Sequence, residues 1–184
     1  MDSPAYPPPI EIRPATAEDQ LAIKTLIRSE HLNPLDLDWR RFTVAFDASG
    51  LVGAVQLRKH SDGSRELGSL VVRPDARHRG IASQMIDALL SSQTARVFTI
   101  TRPAFVDYYA RWGFRRIEPD AAPMAIWRNY LFGRFGGGLL SLLAGRRPAK
   151  LVVLDRYARV AQPWEPEPSL DTASFCLPPH ASVC

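Results

Sequence analysis

Leu67-Gly-Ser-Leu70-Val-Val-Arg-Pro74-Asp-Ala-Arg77-His-Arg-Gly80-Ile-Ala82-Ser-Gln-Met85-Ile-Asp-Ala-Leu89-Leu90 places an apolar run, a basic turn and an amphipathic segment in one line. Leu67, Leu70, Val71 and Val72 read as a short buried strand that Pro74 stops. From Gly80 onward Ile81, Met85, Ile86, Leu89 and Leu90 recur at helical spacing and leave Ser83, Gln84, Asp87 and Ser91 on the other side. The first turn of a helix offers N–H groups without internal partners and the positive end of the macrodipole, so an anion settles there. Gly80 and Ala82 put little or no side chain between that backbone and a pyrophosphate, while Arg77 and Arg79, with Arg73 nearby, add positive charge. The stretch predicts a polyphosphate site.

Upstream, Ile10-Glu-Ile-Arg-Pro14 alternates as a first strand, and Thr16-Ala-Glu-Asp19 reads as a capping box ahead of Leu21, Ile23, Leu26 and Ile27. His31 to Trp39 is irregular. Phe42 to Phe46, Leu51 to Arg58 and Glu66 to Arg73 follow as a meander, joined at Asp47-Ala-Ser-Gly50 and Ser61-Asp-Gly63. Downstream, Arg96 to Thr101 predicts a fifth strand whose helical crossover makes it parallel to the fourth. Pro103 opens a helix with Phe105, Tyr108, Tyr109 and Trp112 along one face, and Gly113 closes it. Phe114 to Ile117 and Lys150 to Asp155 supply the last strands.

The 184 residues, 46% of them hydrophobic, suit one domain, placed at 10–160 between an N-terminal lead, 1–9, and a Pro-rich tail, 161–184, both expected to be disordered. The tail holds three acids and no Lys or Arg, so the net charge of +4 leaves +7 on the rest. A basic body suits an anionic ligand and keeps nucleic acid as a rival partner. Cys176 and Cys184 both fall in the tail, with no disulfide framework or metal-ligand spacing, which points to a reducing, cytoplasmic compartment and no metal. The lead lacks the basic and apolar regions of a secretory signal. An insertion at about 124–148 is apolar but interrupted by Arg134 and Gly136-Gly137-Gly138, and is too short for the ~20 apolar residues of a membrane span. It predicts a pair of short helices over the sheet, or else an interfacial or dimer-forming segment flanked by Arg128, Arg134, Arg146 and Arg147.

Arg77-x-x-Gly80-x-Ala82, between a strand and a helix, resembles the Gln/Arg-x-x-Gly-x-Gly/Ala signature of the GNAT superfamily of N-acetyltransferases, and the order of elements can be followed from about Ile10 to Tyr157. The resemblance implies an α/β (α+β) fold, a mixed sheet of six to seven strands splayed between strands four and five and flanked by helices. It implies acetyl-CoA as cosubstrate, held by Leu70, Val71, Val72, Arg77, His78, Arg79, Gly80, Ile81, Ala82 and Ser83, and direct attack by an amine acceptor. Tyr109-Ala-Arg-Trp-Gly113-Phe114 resembles the family's Tyr-x-x-x-Gly-Phe, which makes Tyr109 the acid for the departing thiolate; Tyr108 is its core-packing neighbour. A phenol near pKa ~10 stays protonated beside a thiol near ~8.5. Glu66, in Glu66-Leu-Gly-Ser-Leu70-Val-Val72, is the matching acceptor-side base, although a carboxylate near ~4.3 abstracts a proton from ammonium poorly unless burial raises it or a water relays the proton. Its structural alternative is an edge carboxylate paired with Arg65 or Arg58.

In a regular strand Glu66, Gly68, Leu70 and Val72 share one face, a count that the family's bulge here would alter. An oxyanion donor falls on the backbone near Val71 or Val72. Thr101 and Arg102 stand where many relatives carry Asn. His31, His60, His78 and His180 are scattered and read as surface or loop residues. The His31 to Trp39 loop is the expected acceptor wall, and the expected acceptor is a small amine or amino acid. Acetylation of a protein or peptide amine, and a catalytically silent CoA-binding module, are the alternatives, acting as monomer or homodimer.

Overall fold

The computed structural model describes residues 9–143 and 150–157, with side chains at 9–135 and 150–157. The expectations for most of the lead, for the tail and for its two cysteines lie outside the described residues. Seven strands form one sheet: β1 (Glu11–Pro14), β2 (Phe42–Asp47), β3 (Gly50–Lys59), β4 (Arg65–Val72), β5 (Val97–Thr101), β6 (Arg115–Ile117) and β7 (Val152–Arg156). Their order is β1-β2-β3-β4-β5-β7-β6, and every neighbouring pair is antiparallel except β4 with β5. The mixed sheet with one parallel seam is the architecture that the sequence implies.

Four helices cover it: α1 (Gln20–Ser29), α2 (Ile81–Ser91), α3 (Val106–Ala110) and α4 (Met124–Leu143). On one face α2 buries Ile81, Met85, Ile86, Leu89 and Leu90 against Ala45, Leu67, Val97 and Leu154, and Tyr109 of α3 joins the same cluster. On the other face α1 packs Ile23, Leu26 and Ile27 onto Val44, Ala54 and Val71, and α4 packs Ile126 and Tyr130 onto Phe98 and Val153. Adjacent residues of β5 and β7 thus serve opposite layers, as the period of two in a strand requires.

Two local expectations change. The Thr16–Asp19 capping box is present, but the turn it opens, Ala17–Asp19, is 3-10 and leads into α1, with Asp19 Oδ2 accepting from Thr16 N at 2.7 Å and from Arg13 at 2.7 Å. The aromatic stripe after Pro103 also divides, because the first turn is a 3-10 turn that leaves Phe105 exposed and only Tyr109 buried.

The apolar insertion is one helix of 20 residues, α4, rather than a pair of short ones. A glycine costs a helix about 1 kcal/mol relative to alanine, less than burying a large aliphatic side chain gains. Ile126 and Tyr130, one turn apart, are buried on the sheet, and truncating a fully buried Ile to Ala costs roughly 2–5 kcal/mol. Gly133 lets the backbone approach, since a Cβ there would sit 3.0 Å from Leu151 Cδ1. The start of α4 is anchored from far away in sequence: the Ala125 N–H donates to Asp62 Oδ2 at 3.0 Å, a carboxylate capping the positive helix end. Among the described residues no helix is long and apolar enough to cross a membrane.

Candidate active site

β4 and β5 pair only over Arg65–Val97, Glu66–Phe98 and Leu67–Thr99, whereas β4 stays paired with β3 as far as Val72–Gly53. Beyond Leu67 the β5-facing edge of β4 therefore has no strand partner among the described residues. The cause is a bulge: Gly68 opposes Gln56 and Val71 opposes Ala54, leaving Ser69 and Leu70 against Val55, with Ser69 at φ +50. Such a bulge bends its strand and shifts side-chain parity. Glu66 and Gly68 face the α1/α4 layer, while Leu70 and Val72 pack with the α2/α3 cluster, so the four do not share a face. Val71 goes to the α1 layer although Leu67, four residues back, goes to α2.

From that open edge the chain runs into the basic turn. His78 and Gly80 adopt left-handed conformations, φ +64 and +73, and Gly80 is the residue from which α2 begins. The first ladder bond is Gln84 N–H to Gly80 O, 3.1 Å, so the amides of Ile81, Ala82 and Ser83 precede the ladder. A Cβ at Gly80 would meet nothing closer than Gln84 Nε2 at 3.8 Å, which leaves room for a ligand over the turn. An acetyl-CoA pyrophosphate fits this chemistry. The two arginines are engaged elsewhere: Arg77 bonds Glu30 and the Val72 carbonyl, and Arg79 Nη1 lies 2.9 Å from Asp47 Oδ2. Hydrogen bonds from the hydroxyl and N–H of Ser49, then from Arg79, hold the Asp47 carboxyl down at about 2. Ser83 Oγ lies 3.3 Å from Tyr108 Oη and accepts from Arg111 at 3.3 Å. Tyr108 is thus more than core packing.

Tyr109 is 6% exposed, with Tyr108 and Phe114 edge-on to its ring. Burial pushes its hydroxyl up to about 12, and a hydrogen bond with Thr99 offsets only part of that. The group is a proton donor throughout the neutral range.

On the opposite face lies a cleft of about 960 Å³, floored by Glu66, Gly68 and Ser69 and walled by the Leu32–Asp36 stretch on one side and by α4 on the other. The loop wall is pinned by two glutamines: Gln20 bonds the Leu37 carbonyl and the Trp39 N–H, and Gln56 Nε2 donates to Asp36 O at 2.6 Å. Phe132, 61% exposed, Phe135, 65% exposed, and Leu35 rim the mouth.

Glu66 is 4% exposed and surrounded by donors from three elements. Its Oε2 lies 2.9 Å from His60 Nε2 and accepts from Asn129 Nδ2 at 2.8 Å, and its Oε1 lies 3.5 Å from Arg58 Nη1. Burial pushes this carboxyl up, but the His60 hydrogen bond, the Arg58 charge and the Asn129 hydrogen bond together outweigh it and hold it below the ordinary glutamate value. Of the two structural partners expected for Glu66, Arg58 is the one found; Arg65 turns to Gln93 Oε1 at 2.5 Å. His60 is therefore not a loose surface histidine but part of the cleft floor. Its signal was the Ser61-Asp-Gly63 turn, which sets the register of β3 against β4. Asn129, 63 residues from Glu66, had no sequence signal.

Residues 38–116 match the family model described as an acetyltransferase (GNAT) domain. Among solved structures it is similar to N-acetylglutamate synthase from Neisseria gonorrhoeae, complexed with coenzyme A and L-arginine, at 18% identity and TM-score 0.61, over 82% of this chain and 33% of that one. It thus spans about a third of the length of that protein. It is also similar to Rv2747 from Mycobacterium tuberculosis, complexed with CoA, at 23% identity and TM-score 0.58, over 80% of this chain and 99% of that one. Diaminobutyrate acetyltransferase from Paenibacillus lautus, complexed with its substrate L-2,4-diaminobutyric acid and coenzyme A, matches at 16% identity and TM-score 0.53, over 80% and 95% of the two chains. These likenesses show the GNAT fold. No curated protein matches the chain significantly in sequence.

Proposed function

We propose that the protein is an N-acetyltransferase that moves an acetyl group from acetyl-CoA to the amine of a small molecule or amino acid by direct attack. The observation that carries this reading is the unpartnered edge of β4 beyond Leu67, continuous through the basic turn with the open amides at the start of α2. The Ile81, Ala82 and Ser83 amides hold the pyrophosphate, with Gly80 and His78 shaping the turn and Arg77 and Arg79 supplying charge. Leu70, Val71 and Val72 offer main-chain groups to the pantetheine and to the carbonyl oxygen as it gains charge. Acetyl-CoA brings an activated thioester carbonyl. Tyr109 protonates the leaving thiolate from the α2/α3 face. Glu66 draws the cationic amine into the cleft on the other face; occupied by donors, it does not itself take the proton.

The matched domain ends at Arg116, before α4 begins, so the cofactor side lies within it and the wall carrying Arg128, Asn129 and Phe132 lies outside. Acceptor choice is set by that wall and the Leu32–Asp36 loop.

Calorimetric titration with acetyl-CoA, followed by thiol detection across a panel of amines and amino acids, tests the reading. Binding with acceptor-dependent thiol release is expected. Binding with no release from any amine would mark a silent CoA-binding module, and salt-sensitive binding to duplex DNA indifferent to acetyl-CoA would mark a nucleic-acid partner.

A further inference from the structure

We infer that His60 is the base that deprotonates the acceptor and that Glu66 is its positioning residue. The inference rests on the acetyltransferase reading of the same cleft.

His60 follows β3 directly and its ring enters the floor of the cleft, where Nε2 lies 2.9 Å from Glu66 Oε2. A carboxylate facing Nε2 fixes the tautomer that carries its proton there, which leaves the lone pair on Nδ1. Among the described residues Nδ1 has no hydrogen-bond partner. Asn129 on α4 and Arg58 on β3 hold the Glu66 carboxylate in turn, so neither partner of the pair can swing away. This is the arrangement in which a carboxylate orients an imidazole and balances the charge it gains, on a fold unrelated to the hydrolases that use it with serine. The charges facing the ring are Glu66 on β4 and Asp62 in the β3–β4 turn, both negative, with Arg58 on β3 and Arg128 on α4 positive.

The protons balance for a primary ammonium. One passes to His60 Nδ1 and on to water in the open cleft. As the nitrogen lone pair forms the N–C bond and the C–S bond breaks, a second leaves nitrogen and restores the proton that Tyr109 gives the thiolate. The third stays on the amide.

The test uses the full chain, acetyl-CoA, and a panel of α-amino acids beside simple alkylamines, with kcat/KM followed from pH 5.5 to 9.5. The parent should show a limb that rises with pH. His60→Gln should lose that limb and about 10²-fold in kcat/KM, with acetyl-CoA affinity and thermal midpoint retained, and added imidazole should restore turnover to His60→Ala. Glu66→Gln should displace the limb rather than abolish it. A His60→Gln enzyme that keeps the parental limb overturns this inference alone, as does one that loses stability without changing the profile. Acetyl-CoA binding with no thiol release from the parent and any amine overturns the acetyltransferase reading itself.

Discussion

Glu66 and Tyr109 stand on opposite faces of the sheet at successive positions of the β4–β5 ladder: Glu66 pairs with Phe98, and Tyr109 hydrogen-bonds Thr99, which pairs with Leu67. That ladder ends there and the strands part. On the proposed reading an acceptor amine loses protons while a departing thiolate gains one, and the sheet sets the cleft with Glu66 and His60 on one face and Tyr109 on the other.

Tyr109→Phe should lower kcat roughly 10²-fold, the usual worth of a positioned acid, with acetyl-CoA affinity nearly unchanged. Because burial holds the hydroxyl at about 12, the parent should show no falling limb from this group up to pH 10. The variant also leaves the buried Thr99 hydroxyl without this partner, so about 1–3 kcal/mol of stability should be lost. Thiol-release kinetics with a parallel urea titration separates the two effects; a parental kcat across this range would place the acid elsewhere.

Gly80 carries a graded test. At φ +73 any residue with a Cβ is strained, but no neighbour obstructs it, so Gly80→Ala should cost about 1–2 kcal/mol of stability and Gly80→Asn less, since Asn tolerates the left-handed region. Gly80→Asp brings a negative charge to the pyrophosphate position as well. Calorimetry should find acetyl-CoA binding modestly weakened in the first two and lost in the third. Equal affinity in all three would move the cofactor off this turn.

Much of this geometry is legible in the residues themselves. The turn that needs Gly80 announces itself, because a left-handed position ahead of a helix selects glycine, and the apolar rhythm of Ile81 to Leu90 needs only a period of 3.6. The bulge at Ser69 is not announced by its own residue, since serine has no chemical reason to be there, and only the family resemblance implies it. The cluster around Glu66 is hidden for a related reason. Arg58 can be guessed from the hairpin, but His60 depends on the register set by the Asp62 turn, and Asn129 on where a distant helix lands. The sequence of that helix is misleading because three consecutive glycines suggest a break, whereas packing of Ile126 and Tyr130 on the sheet decides its course.

Glu30→Gln should tighten acetyl-CoA binding. Arg77 is bonded to Glu30, so a phosphate must compete with a carboxylate for the same guanidinium, and the carboxylate adds its own repulsion. A half-exposed pair of this kind is worth roughly 0.2–1 kcal/mol, which sets the gain at about 1.5- to 5-fold at low salt. It should vanish near 1 M salt, where the Debye length is about 3 Å. Titrations of both proteins at two ionic strengths read it; a weaker affinity in the variant would show that Glu30 orients Arg77 rather than restraining it.

Acid should loosen the cleft wall before neutral heat does. The Ser64 hydroxyl, the Ala125 N–H at the start of α4 and the Ser64 N–H all donate to Asp62 and hold its carboxyl down at about 2. Asp19, Asp47, Glu66 and Asp75 are lowered too. A carboxyl whose native value lies below its unfolded value of about 4 stabilises the fold fully above pH ~4, and that contribution fades as the pH falls through the native value. The urea midpoint should thus be flat from pH 7 to about 5 and decline steadily between about 4 and 2. Asp62→Asn should start lower at pH 7 and decline less steeply, because one of the titrating groups has gone, and amide exchange in the first turn of α4 should already be faster at neutral pH. Identical slopes in the two proteins would mean that Asp62 does not hold the helix to the turn that carries His60.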